Sequence, residues 1–243
     1  MGIPRLEAIA RINLAWIHVV QAEWDQAASL ATQSVEQQTD HAIAEFLPEA
    51  YRVLAHVAVG RNRLGQARQH AERCLELARQ QHNPFEEAGA QRILGEILRL
   101  TRDFGAAVGH LQHSLDLFGQ IGDRFERART QRQLAWLRRD QGDERAALEH
   151  AIPALTTFIE MHARREAERM QEGNRLCLRL PCPPDEAAKL CQSSMQVAGW
   201  QEVERTAAGS GGEMRLSFDR EEHRLTAELE ADMETTVVSL RAP

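Results

Sequence analysis

A 40-residue period runs through the first two thirds of this chain and narrows its possible folds more than any other feature. Leu14, Leu54, Leu94 and Leu134 fall in register, each followed by a small residue, namely Ala15, Ala55, Gly95 and Ala135. Thirteen positions after each leucine stands an alanine (Ala27, Ala67, Ala107, Ala147), and seven further on another small residue (Ser34, Cys74, Ser114, Ala154). A repeat of this length is one supersecondary unit that cannot bury its apolar face alone. Copies must therefore stack into an array. Arrays present extended surfaces, so the period points to binding rather than to catalysis.

Within each copy the apolar residues recur at helical spacing. Ile93, Leu94, Ile97, Leu98 and Leu100 form one stripe, and Phe104, Ala107, Leu111, Leu115 and Phe118 form the next. Thr101-Arg102-Asp103 separates them, as Ala22-Glu23, Arg61-Asn62-Arg63 and Gln141-Gly142-Asp143 do elsewhere. Each repeat thus reads as two helices of about 14 to 18 residues joined by a tight turn. Asn83-Pro84 and Gly122-Asp123 supply stop and cap chemistry between repeats. The alanine columns fit helices that approach to about 8–10 Å, where larger side chains would collide. Pro153 falls inside the last second helix, where a kink is expected. Met161 to about Glu172 reads as one more, highly charged helix able to cap the stack.

The stretch AQRILGEILRLTRDFGAAVGHLQHSL carries Leu94-Gly95, the large apolar Leu98, the aromatic Phe104 at the turn and Ala107. In these features the chain resembles a tetratricopeptide repeat protein of the longer, roughly 40-residue variety, over about residues 6 to 172. The fold implied is mainly α, a right-handed α-α superhelical array of four hairpins plus a capping helix across 1–172. His18 and Arg138 depart from the pattern where Leu98 stands, and Glu144 replaces the turn aromatic. Terminal repeats are commonly atypical in this way.

Past Gly173 the periodicity changes. Leu176, Leu178 and Leu180 alternate with polar residues, and Asp185 to Ala198 reads as a helix with Ala187, Leu190, Cys191 and Met195 inward. Alternation then returns over 201–206, 213–219, 224–230 and 235–240, interrupted by the flexible Gly209-Ser210-Gly211-Gly212. Residues 173–243 are expected to form a small α/β domain, one helix on an antiparallel sheet. It bears a slight resemblance to accessory domains of bacterial proteins.

The net charge of -7 speaks against nucleic acid as a partner, since that requires clustered positive charge. No apolar run reaches the roughly 20 residues that a membrane span needs, and the amphipathic start does not read as a secretory signal; a cytoplasmic setting is expected. Cys74, Cys177, Cys182 and Cys191 show neither zinc-ligand spacing nor a CxxC pair, and Cys74 shares the small-residue column of the core. No Gly-rich phosphate loop, HExxH or GxSxG turn occurs, so no catalytic residue, metal or cofactor is expected.

In the family resembled, first helices line a concave groove whose side chains recognise a protein or peptide. Two positions before the repeat leucine stand Ile12, Arg52, Arg92 and Arg132; two after it Trp16, His56, Glu96 and Trp136; five after it Val19, Val59, Arg99 and Arg139. Arg129 lies one turn before Arg132. Stacked at about 10 Å, Arg52, Arg92 and Arg132 would make a ladder able to grip carboxylates of an acidic peptide, with Trp136 as an aromatic anchor. Each of these arginines could instead pair internally with Glu49, Glu87 or Glu96. Set at the groove surface, they would tolerate Arg92→Glu with Arg132→Glu without unfolding. His70, His110 and His150 form a further column, expected on the solvated side and too far apart at about 10 Å to share a zinc ion.

The expected function is a non-enzymatic interaction scaffold, set in a bacterial regulatory or signalling system. The alternative is a small-molecule sensor whose ligand alters assembly. Ile3, Leu6, Ile9 and Ile12 make the first helix too apolar to end the stack uncovered, so it is expected to pair with a second copy or a neighbouring segment.

Overall fold

A computed structural model describes residues 2–161, 177–180, 184–198, 201–208, 213–220, 223–232 and 235–241. The chain folds into two compact units, Met1–Gly122 and Asp123–Pro243. The expected capping helix beyond Met161, the 172/173 domain boundary, Cys182 and the 209–212 turn lie outside the described residues.

The first unit is three helical hairpins: α1 (Gly2–Gln21) with α2 (Trp24–Asp40), α3 (Leu47–Gly60) with α4 (Leu64–Gln80), and α5 (Pro84–Leu100) with α6 (Phe104–Ile121). Consecutive hairpins stack, α2 on α3 and α4 on α5. The second unit opens with a fourth hairpin, α7 (Arg124–Asp140) and α8 (Glu144–Glu160). Helix α8 runs on through Pro153.

The turns inside hairpins share one geometry. Glu23 N–H donates to His18 O at 2.9 Å, Arg63 to Ala58 O at 2.8 Å, Asp103 to Leu98 O at 2.8 Å and Asp143 to Arg138 O at 2.9 Å. This closing bond satisfies a helix carbonyl that would otherwise be orphaned, and it places one residue in the left-handed region. Gly142 fills that position at φ 79°, whereas Ala22, Asn62 and Arg102 adopt it as non-glycines. Between hairpins, Asn83 and Asp123 accept from the backbone N–H groups of Glu86 and Glu126 at 3.1 and 2.9 Å, capping α5 and α7 as their residue types suggest.

The small-residue columns sit where hairpin helices touch. Ala27, Ala67, Ala107 and Ala147 are fully buried, as are Ser34, Cys74, Ser114 and Ala154. The leucine column is less uniform: Leu94 and Leu134 are buried, but Leu14 is 48% exposed.

The rest of the second unit is a five-stranded antiparallel sheet of order β1-β5-β4-β3-β2 with one helix against it. Its elements are β1 (Cys177–Leu180), α9 (Pro184–Val197), β2 (Gln201–Ala208), β3 (Glu213–Arg220), β4 (His223–Asp232) and β5 (Thr235–Arg241). Alternation aims Leu216 and Phe218 of β3, Ala227 and Leu229 of β4 and Val238 of β5 into one layer. Opposite them lie Ala187, Ala188, Cys191 and Met195 of α9. That layer is continuous with Leu148, Ile152, Leu155 and Phe158 of α8.

Candidate functional site

In the first unit the first-helix column begins with a buried cation. Arg52, only 5% exposed, donates through Nε and Nη2 to Glu86 Oε2 and Oε1 at 2.6 and 3.0 Å. Its guanidinium carbon lies 4.4 Å from the Trp16 ring centroid and 5.5 Å from that of Phe85. Gly89 makes the path, because a Cβ there would stand 2.6 Å from Arg52 Cδ. Trp16 Nε1 donates to Glu49 at 3.2 Å, and its ring meets His56 edge-on at 5.3 Å. Burial pushes the Glu49 carboxyl above its ordinary range, with Arg52 pulling the other way and Glu86 adding to the rise. Farther along, Arg92 is 2% exposed and stacks over Phe118 at 5.4 Å, while Glu96 and Arg99 are half-buried.

In the second unit Arg132, 6% exposed, stacks on Trp136 and Phe158 at 5.0 and 5.8 Å. Arg129 pairs with Glu126 at 3.0 Å and Arg139 with Asp140 at 3.4 Å. Trp136, Arg129 and Arg139 are half-buried. Helix α7 as a whole is strongly basic: six arginines against Glu126 and Asp140 leave a formal charge of +4.

The arginine column therefore lies below the surface. Arg52 has the internal partner anticipated as one option, although the carboxylate is Glu86 rather than Glu49, which stands 4.0 Å away, or Glu87 or Glu96. Glu86 was not among the expected partners. The missed signal was a spacing of 34 residues, which separates Ile12 from Phe46 as well as Arg52 from Glu86. Burial also revises the expected tolerance of Arg92→Glu with Arg132→Glu. A carboxylate at either site would lose its water, so the variant should lose stability.

The histidine column is likewise not fully solvated. His70, His110 and His150 are half-buried, and desolvation lowers the pKa of each. Arg68, His113 and Arg79 push His110 further down, and Arg138 does the same to His150. Among the described residues no group of three His, Cys, Asp or Glu side chains could hold a metal ion. None of the described helices is long and apolar enough to cross a membrane.

The hairpin geometry, the small-residue columns and the αL turns coincide with a family match over residues 86–158. Those residues match the tetratricopeptide repeat family. Such repeats serve as protein–protein interaction scaffolds. No curated protein matches the chain significantly. Among solved structures, that of BtubC (BKLC) from P. vanneervenii covers 86% of this chain and 94% of its own, at 15% identity and a TM-score of 0.48. A similarity that slight carries no argument about function. The side chains expected to face a partner, Trp16, His56, Glu96 and Arg99 in one unit and Arg129, Trp136 and Arg139 in the other, are all half-buried.

Proposed function

We propose that this protein is an interaction scaffold whose first helices take an acidic peptide or an acidic protein surface, in a cytoplasmic bacterial regulatory or signalling system. The reading rests above all on α7. A formal +4 on one 17-residue helix stands out in a chain of net charge -7. Arginine suits carboxylates because its planar fork bonds two oxygens at once. Trp136 adds a half-buried ring beside those cations, the residue type that anchors interfaces. Arg132, beneath them, serves the surface by holding Trp136 in place. Neither nucleic acid nor a membrane belongs to this reading.

The test uses a labelled polyglutamate peptide and fluorescence anisotropy at low and moderate salt. Binding should weaken as salt rises. Arg129→Gln combined with Arg139→Gln, both at half-buried positions on the Trp136 side of α7, should reduce affinity at least tenfold with helical circular dichroism retained. Equal affinity for polyglutamate and polylysine would sink the proposal.

A second reading, a small-molecule sensor, draws on one observation. A cavity of about 340 Å³ lies between α8 and α9, lined by Leu148, Pro153 and Leu190 with Arg145, Glu149, Ser193 and Ser194. It has the size of a small ligand site and mixes apolar walls with a few polar groups. A thermal-shift screen discriminates, since a specific ligand raises the melting temperature by mass action. Leu190→Trp should abolish any such shift.

A further inference from the structure

We propose that α1 is a self-association surface, through which two copies of this chain pack antiparallel about a two-fold axis. Ile3, Leu6, Leu14, Ile17 and Val20 are 72, 66, 48, 51 and 46% exposed, and they account for five of the eight exposed large hydrophobics among the described residues. With exposed Ala10 they fall on one stripe, within an arc of about 120° at 100° per residue.

The central columns of this stripe are covered elsewhere in the unit, although the Val20 column stays open, with Leu100 43% exposed. Forty and eighty positions on from Ala10, Ala50 and Ala90 are fully buried; Val57 and Ile97, matching Ile17, are 3% exposed. Their cover is the second helix of the preceding hairpin, α2 on α3 and α4 on α5. The stripe on α1 is thus a docking face of known type, built to receive a helix.

Four features favour a second copy as the occupant. First, the spacing is nearly symmetric under reversal. An antiparallel partner sets Ile3 against Val20 and Leu6 against Ile17, and it brings Ala10 opposite Leu14, where a small residue admits a large one. Second, the flanking charges are already satisfied within their own copy: Arg5 bonds Glu45, and Arg11 and Glu7 share Gln37. Docking strands none of them. Third, the five aliphatic residues expose roughly 500–600 Å² per copy, so pairing buries roughly 1,000–1,200 Å², at the threshold for a specific interface. Fourth, the second helix that ends the hairpin series, α8, is engaged by α9 and β1. It cannot cover α1 of another copy end to end, and the two-fold arrangement closes without leaving an open filament.

The experiment is light scattering on the full chain, followed by directed crosslinking. At a dissociation constant on the order of 10 µM the mass should rise with concentration toward twice the 27.4 kDa of one chain. Ile17→Glu, exposed in the single copy, should raise that constant about a hundredfold or more with unchanged helical circular dichroism. A mixture of chains carrying Leu6→Cys or Ile17→Cys should form a mixed disulfide, whereas Leu6→Cys alone should not. A wild-type chain still monomeric at about 200 µM overturns the proposal, whatever else covers the stripe. Crosslinking of Leu6→Cys to itself overturns the antiparallel arrangement.

Discussion

Leu14 and Ile17 of α1 and Leu94 and Ile97 of α5 hold the same two columns of the 40-residue register. The first pair is 48 and 51% exposed, the second 5 and 3%. Residue type is copied by the period, while burial is conferred by the neighbouring helix, which α5 has in α4 and α1 lacks within its unit. A second contrast runs alongside. Where α3 meets α5, a buried Arg52–Glu86 ion pair spans 34 residues; at the equivalent positions one repeat earlier stand Ile12 and Phe46, which share an apolar cluster. One scaffold position is filled by charge in one copy and by hydrocarbon in the other.

The harshest way to probe that second contrast is to break the ion pair on one side. Glu86→Ala leaves the Arg52 guanidinium buried between Trp16 and Phe85 without its bidentate carboxylate. A loss of about 3–5 kcal/mol is expected in urea unfolding. Copying the earlier repeat, Arg52→Ile with Glu86→Phe, should recover most of that loss. If Glu86→Ala unfolds at the same urea concentration as the wild type, the pair contributes nothing and the contrast is cosmetic.

The first contrast is tested by truncating the same column in both places. Ile97→Ala should destabilise by about 2–5 kcal/mol, since it opens a cavity where the side chain is 3% exposed. Ile17→Ala should change the unfolding of the isolated chain by less than about 1 kcal/mol, because half of that side chain already meets water. Comparable losses would mean that α1 is covered after all.

Column 15/55/95/135 gives a finer comparison. Three repeats place Ala15, Ala55 and Ala135 there, each sharing a core cluster with the alanine sixteen residues on: Ala31, Ala71 and Ala151. The third repeat places Gly95, and its counterpart is Leu111, whose Cγ would stand 2.5 Å from a Cβ on Gly95. Small against large replaces small against small. Gly95→Ala should therefore cost about 1–3 kcal/mol through overpacking. Leu111→Ala should abolish that overpacking penalty, so that adding Gly95→Ala to Leu111→Ala costs nothing further. Additive losses in calorimetry would refute the volume exchange.

The same columns explain what could be read in advance. Helix pairs at close approach demand small residues at fixed intervals, so Ala27, Ala67, Ala107 and Ala147 mark the array in the sequence itself. Alternation announced the strands just as directly, through Leu216 and Phe218 or Ala227 and Leu229. The pairing of β1 with β5 was not legible, because contacts so distant in sequence leave no local pattern. The arginine column misled for a physical reason. A guanidinium reads as a surface group unless a carboxylate and aromatic faces meet it, and Arg52 finds Trp16 thirty-six residues before it and Glu86 thirty-four after. Type and period place a residue on a helix face, but only packing decides whether that face sees water.

The smallest expected effect concerns His70, His110 and His150, which recur on second helices and are half-buried in both units. Desolvation holds each below its ordinary pKa, so the unfolded chain binds protons more readily than the folded one. Stability is then fully present above about pH 6.5 and declines as pH falls through that value toward the lower folded pKa values. Melting temperature should drop between pH 7.5 and 5.5. His110→Gln should flatten the decline slightly. Half-burial of one imidazole then becomes readable as the slope of a stability curve: if the His110→Gln variant keeps the full wild-type slope, desolvation of His110 is not what the pH dependence reports.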